Sequence, residues 1–229
     1  MQVFSRDEIN LIHDASMEIL SETGVKFNSP EALDLFRDNG FTVTNPRVFI
    51  TEKEVMRALE TVPSRFVVHA RNPEYNVAIG EDDFVFLPTA GAPNVSDADG
   101  MRRPAVMEDY FTCCKLVQTS DQLDMNGCLM VQPTDLPPGT AHLDMLFANM
   151  VMCDKAYVGP AMFRAAAVDA LEMAAIAWGG PERLKEAPVM AAIVSATSPL
   201  QYPADEADAI IEMARAGQAV VITDLVMAG

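Results

Sequence analysis

Between Ser5 and Pro63 the apolar positions fall into three runs at helical spacing, each introduced by a capping sequence. Ser5-Arg6-Asp7-Glu8 is a capping box: the serine hydroxyl accepts an orphan backbone N–H while the glutamate reaches back. Ile9, Ile12, Ser16, Ile19 and Leu20 then recur on one face. Ser29-Pro30 opens a second helix, Leu33, Leu35 and Phe36 give it an apolar side, and Asn39-Gly40 provides a left-handed stop. Thr51-Glu52-Lys53-Glu54 repeats the box ahead of Val55, Ala58 and Leu59, and Pro63 closes that helix. From Phe66 the period changes to two. "FVVHA", "YNVAI" and "DFVFL" predict short strands, and Asp97-Ala98-Asp99-Gly100 predicts a hairpin turn before Pro104. A helix is predicted from Met107 to Leu116 or slightly beyond.

The second half alternates. "GCLMVQP", "AYVGPAM", "MAAIVSAT" and "AVVITDLV" are apolar runs too continuous for a one-sided sheet. Between them lie segments of helical period, with Leu143, Leu146, Phe147, Met150 and Val151 marking the apolar face of the first. Ile210, Ile211, Met213 and Ala214 mark that of the last, which stops at Gly217. Leu129, Val158, Ile193 and Val221 recur at intervals of about 30 residues, the size of a βαβ unit. Four parallel strands with alternating helices are therefore predicted.

Such strands belong either to an open doubly wound sheet or to part of a (β/α)8 barrel. The glycine-rich first turn of a dinucleotide fold is missing, as is a phosphate-binding P-loop. Gln132-Pro133, Gly159-Pro160, Ser195 to Pro199 and Thr223-Asp224 sit at the strand ends instead, where a barrel builds its site. The expected fold is α/β: a partial TIM-type barrel of about four parallel strands, preceded by an N-terminal helical cap and a small antiparallel β element. The division expected is residues 1–105 for the helical and small β region and 106–229 for the first half of a barrel. The final run, "AVVITDLVMAG", has no covering helix, and closure at this diameter takes about eight strands. A barrel truncated at its C-terminus is the expectation, since an exposed parallel edge is normally covered.

Composition narrows the function. Sixteen basic residues against thirty-three acidic ones give a net charge of −17, which repels nucleic acid and anionic membrane surfaces. No apolar stretch reaches the roughly 18 residues of a membrane span, and the N-terminus lacks a signal-peptide core. A soluble cytoplasmic protein is expected. Cys113, Cys114, Cys128 and Cys153 show no C-x-x-C spacing, so neither a metal site nor a redox motif is read from them. In apolar segments such cysteines act as small hydrophobes, and the methionines, mainly on helices, read as core filling.

Several stretches, taken in order, are similar to a known family. They are "RDEINLIHDASMEILSETGVKF", "GMRRP", "MVQPTDLPPGTAHLDMLFANMVMCDKAYVGPAMF", "IVSATSPLQYPADEADAIIEMARAGQ" and "GQAVVITDLVMAG". Together they resemble the N-terminal half of the trimethylamine methyltransferase family, which includes glycine betaine methyltransferases that lack pyrrolysine. The ordered set carries the resemblance; no single motif is diagnostic. It implies a (β/α)8 barrel of roughly twice this length. It also implies transfer of a methyl group from a methylated or quaternary amine to the Co(I) corrinoid of a separate partner protein. The corrinoid would come with that partner, and this chain would bind no cofactor tightly. The position that distinguishes pyrrolysine-bearing members lies beyond the chain.

A quaternary ammonium has no N–H, so its site should offer aromatic faces and diffuse negative charge. Strand ends supply the candidates, each with a plainer reading beside it. Asp224 would balance substrate charge, or is an ordinary loop carboxylate; Gln132 and Asp135 follow the first parallel strand, or serve turn chemistry. Phe163 and Tyr202 would line a cation pocket, or are rim packing. Ser195, Thr197 and Ser198 form a hydroxyl-rich loop that would bind a substrate carboxylate, or cap the next helix. No catalytic residue is identified. His142 reads as a structural hydrogen-bonding residue at a helix start, and His13 and His69 are isolated. Two rival readings stay open. One is a non-catalytic module that self-associates through its open strand edge. The other is a different barrel enzyme, such as a phosphate-binding isomerase or an aldolase, against which the lack of lysine at the four strand ends counts.

Overall fold

A computed structural model describes residues 3–88 and 90–224, Asp224 through its backbone alone. Helix α1 (Arg6–Glu18) starts at the Ser5 capping box, with both of its bonds made. Gly24, at φ +69°, ends the turn that follows; a Cβ there would come within 2.8 Å of the Val48 carbonyl oxygen. Next come β1 (Val25–Phe27), α2 (Pro30–Asp38), β2 (Thr42–Thr44), β3 (Arg47–Phe49) and α3 (Glu52–Leu59). The three helices lie where their caps predict. The three strands among them are additions to a region read as helical, because three-residue strands are too short to show a period.

Two antiparallel pairs follow: β4 (Arg65–Val68) with β5 (Val77–Gly80), then β6 (Asn94–Ser96) with β7 (Arg102–Pro104). Asp97 makes the predicted turn, its carboxylate accepting the N–H groups of Asp99 and Met101. The alternating part runs α4 (Met107–Thr119), β8 (Met125–Asn126), α5 (Ala141–Met152), β9 (Ala156–Gly159), α6 (Arg164–Trp178) and α7 (Pro181–Glu186). It ends with β10 (Ala191–Ala196), β11 (Gln201–Tyr202), α8 (Ala204–Arg215) and β12 (Ala219–Asp224). Strands β12, β10, β9 and β8 form one sheet in that order, with β8–β9 and β9–β10 parallel. Among the described residues no helix is long and apolar enough to cross a membrane.

The chain divides into two compact units. One takes the residues up to Pro63 together with Ser195–Asp208. Its sheet has the order β11-β1-β3-β2, β11 adding parallel to β1. Tyr202 stacks on Phe27 at 5.2 Å, and Phe36 closes on the same ring at 4.7 Å. Ser29 caps α2 and donates its hydroxyl to Asp208 of α8.

The other unit takes Ser64–Val194 with Ala209–Thr223. Strand alternation sorts its core onto two sides of the sheet. Met125, Ala156, Val158 and Ala191 pack with Val68 and Val77 of the β4–β5 pair. Tyr157, Ala192 and Val194 face the other way, onto Leu146, Ala170, Leu184 and Met213 of the helices. Parallel strands covered on both faces explain why their sequences are almost continuously apolar.

Candidate functional site

Strand β8 is Met125–Asn126, wholly ahead of the run 127–133 that the apolar sequence predicts as the first parallel strand. Side chains have taken over the backbone beyond it. The Gly127 carbonyl accepts from Asn149 Nδ2 at 3.1 Å and from the Tyr110 hydroxyl at 3.3 Å. The same hydroxyl donates to the Cys128 carbonyl at 2.8 Å, and Gly127 N–H donates to Asn126 Oδ1 at 3.0 Å. Asn126 Nδ2 closes the network on Asn149 Oδ1 at 3.1 Å. Tyr110, Asn126 and Asn149 are all buried. The chain then pairs with the segment ahead of β6, through Gly91 N–H to Leu129 O and Gln132 N–H to Ala92 O.

The carboxyl end of β9 is Gly159, where a Cβ would meet Met190 Sδ at 2.5 Å. The loop after it reaches Phe163, the residue before α6. His142, in the first turn of α5, lies edge-on to the Phe163 ring at 5.5 Å and bonds Asp169 of α6 through Nε2 at 2.6 Å. Asp169 was not singled out from the sequence. A partner 27 residues away on another helix leaves no local signal.

The remaining candidates are placed as follows. Gln132 is exposed, on the loop that pairs with Ala92. Asp135 Oδ1 accepts the Met107 N–H, satisfying an orphan donor at the start of α4. Asp109 completes that helix start by accepting the Val106 N–H while its two oxygens take both terminal nitrogens of Arg103. Arg103 holds the Asp109 carboxyl down at about 2. In the other unit, Thr197 N–H and Gln201 N–H exchange bonds with each other's carbonyls across the turn that carries Ser198, and Tyr202 is stacked on Phe27. Ser195 lies near the end of β10, half-buried. The side chain of Asp224 falls outside the described residues. Gln132, Asp135 and Phe163 thus belong to one compact unit, and Ser195, Thr197, Ser198 and Tyr202 to the other.

Cys128 adjoins the β8 network. Burial pushes its thiol up to about 12, and that of Cys114 up to about 11. At neutral pH both are thiols, which are poor nucleophiles and poor methyl acceptors.

A cleft of about 270 Å³ opens at the opposite, amino ends of the strands, lined by Tyr75, Gln118, Asp124 and Lys155 among others. Lys155 is buried, with Nζ donating to the carbonyls of Ser120 at 2.5 Å and Leu123 at 2.6 Å. In α/β barrels that face serves stability, while chemistry sits at the carboxyl ends.

The family model described as trimethylamine methyltransferase (MTTB) matches residues 1–229. A glycine betaine methyltransferase from Desulfitobacterium hafniense (strain Y51) is 40% identical over 227 residues, covering 99% of this chain and 47% of that protein. The trimethylamine methyltransferase MttB of Desulfitobacterium hafniense (strain DSM 10664 / DCB-2) is 29% identical over 232 residues, covering 99% and 46%. An L-carnitine:corrinoid methyltransferase from Eubacterium limosum is 31% identical over 152 residues, covering 66% and 30%. Among solved structures, the monomethylamine methyltransferase MtmB of Methanosarcina barkeri superposes with a TM-score of 0.63 at 13% identity. That superposition covers 96% of this chain and 45% of that one, and it shows the fold to be a partial TIM-type α/β barrel. The chain spans about half the length of the curated relatives it matches.

Proposed function

The chain belongs to the trimethylamine methyltransferase family, and from that premise we propose that its protein moves a methyl group from a quaternary or otherwise methylated amine, of the glycine betaine or trimethylamine type, to the Co(I) corrinoid of a partner protein. The observation that carries the reading is the 40% identity to a glycine betaine methyltransferase across 99% of this chain. The carbon–nitrogen bond breaks with its electron pair going to nitrogen, so a quaternary substrate leaves as a neutral amine. The corrinoid is a substrate delivered by the partner, and its cobalt supplies the pair for the new bond. Within this chain the work is therefore binding and orientation rather than nucleophilic attack.

Of the residues in Ser64–Val194, we put forward the Phe163 ring as a face for the substrate cation and Gln132 as a polar contact. In the other unit, Ser195, Thr197 and Ser198 are put forward for a substrate carboxylate. Asp135 and Tyr202 stand behind them, already engaged in helix capping and stacking. Asp224 is put forward as the balancing carboxylate. The four thiols of the chain suit a reducing, cytoplasmic setting. Residues 1–229 alone are proposed not to turn over, because four strands do not close a barrel, which takes about eight.

The test is methylcobalamin formation by the full gene product supplied with a reduced corrinoid protein and, in turn, glycine betaine, carnitine, proline betaine and trimethylamine. Transfer from at least one is expected. Failure with every methylated amine, against an active control enzyme, overturns the proposal.

A further inference from the structure

We propose that Asn149 is a positioning residue for this reaction, holding the segment from Gly127 to Gln132 at the carboxyl end of β8; the inference rests on the methyl-transfer reading above. Helix α5 buries Met145, Leu146, Ala148 and Met150 beside Asn149, so an apolar residue of similar size would pack there without a polar group to satisfy. A buried amide is tolerated only if its donors and acceptor are used. Asn149 uses both ends: Nδ2 on the Gly127 carbonyl and Oδ1 on Asn126, each at 3.1 Å.

The consequence lies in the strand it touches. Strand β8 is in register with β9 only at Met125↔Ala156 and Asn126↔Tyr157. Strand β9, by contrast, stays paired with β10 as far as Ala192↔Gly159. The two neighbours of β9 therefore behave differently at the same height. Where β8–β9 pairing ends, the backbone groups of Gly127 and Cys128 are held instead by Asn149, Asn126 and Tyr110. With those groups occupied, the chain turns away and is caught by Gly91 N–H on Leu129 O at 2.7 Å and by Gln132 N–H on Ala92 O at 2.9 Å. Gln132 is thereby delivered to the barrel end where chemistry is sited. A fully satisfied polar network is a stiff way to fix such a turn, and small displacements of groups that hold a substrate are costly.

A merely structural role for Asn149 predicts lost stability and unchanged kinetics. The experiment compares the full gene product with its Asn149→Leu and Tyr110→Phe variants. It measures melting temperature, hydrogen exchange of the Gly127–Gln132 amides, and KM and kcat for glycine betaine with free cob(I)alamin as acceptor. We expect faster exchange confined to that segment, and KM raised by about tenfold or more with a smaller change in kcat. Should Asn149→Leu fail to fold, Tyr110→Phe removes one hydroxyl and carries the same comparison. Kinetic constants within about twofold of the parent, despite loosened exchange, overturn the positioning role alone. A parent protein that transfers no methyl group from any amine overturns the methyl-transfer reading, and the inference with it.

Discussion

His142 Nε2 stands 2.6 Å from Asp169 Oδ2, tying the first turn of α5 to the second turn of α6 beside the loop that follows β9. A carboxylate only accepts, so Nε2 carries the proton in this bond. The His142 side chain is 5% exposed and that of Asp169 is 37% exposed, which makes the pair asymmetric. His142 Nδ1, also buried, has no hydrogen-bond partner among the described residues.

That asymmetry orders two substitutions. Asp169→Ala strands a buried imidazole with neither nitrogen paired, and should cost about 1–3 kcal/mol. His142→Phe keeps the ring volume and leaves a carboxylate that water already reaches, so it should cost about 1 kcal/mol less. Urea unfolding of both variants measures the order. A larger loss for His142→Phe would mean that the imidazole, rather than the carboxylate, carries the link.

The helix starts were legible because a capping box is written within four consecutive residues. The strands at Val158 and Ile193 were legible because both faces of the sheet are covered there, whereas β12 keeps its apolar run with Val221 and Ile222 exposed. Other features are set by partners far along the chain. Strand β8 breaks where Tyr110 and Asn149 reach it, 17 and 22 residues away from Gly127, and no pattern near "GCLMVQP" announces that. The same distance effect hid the Asp169 partner of His142. Candidate site residues were chosen as strand-end residues; Phe163 lies in the loop after β9, whereas Gln132 and Asp135 lie well past Asn126, where β8 ends. The bonds that Asp135 and Tyr202 make are tertiary, so the choice between binding group and structural group was not readable from their neighbours in sequence.

Asp109 supplies a pH prediction. Its carboxyl is lowered from 3.8 to about 2, first by the Arg103 hydrogen bonds and then by the Val106 N–H. A depressed folded-state value means that its contribution to stability is whole above about pH 4 and is lost as pH falls toward about 2. Thermal melts of the parent and Asp109→Asn should therefore differ most near neutrality and converge across that acid window. A gap that stays constant from neutral pH down to about pH 2 would rule out the ionic origin assigned here.

The thiols give a second chemical test. With values of about 12 and about 11, Cys128 and Cys114 present almost no thiolate at about pH 8. Iodoacetamide should label both at least about 100-fold more slowly in the folded protein than after denaturation. Mass spectrometry of the labelled peptides reads this directly. Rapid labelling of Cys128 in the native protein would show that its surroundings activate the thiol rather than suppress it.

Gln218 joins the end of α8 to the turn before β10 with a single amide. Its Oε1 accepts the Val189 N–H at 2.9 Å, and its Nε2 donates to the carbonyls of Leu184 at 2.7 Å and Ala216 at 2.9 Å. The side chain is buried, as are Val189 and Leu184, so water cannot readily replace what it provides. Gln218→Leu keeps most of the volume but leaves one backbone donor and two backbone acceptors without this partner. Each orphaned buried group costs about 1–3 kcal/mol, so with three of them a total loss of at least about 3 kcal/mol is expected. Gln218→Glu retains the acceptor for Val189 N–H but faces two carbonyls with an anion, and should be at least as damaging. Denaturant unfolding of the two variants decides it. Near-parental stability of Gln218→Leu would mean that the turn before β10 is held by its apolar contacts, with the amide contributing little.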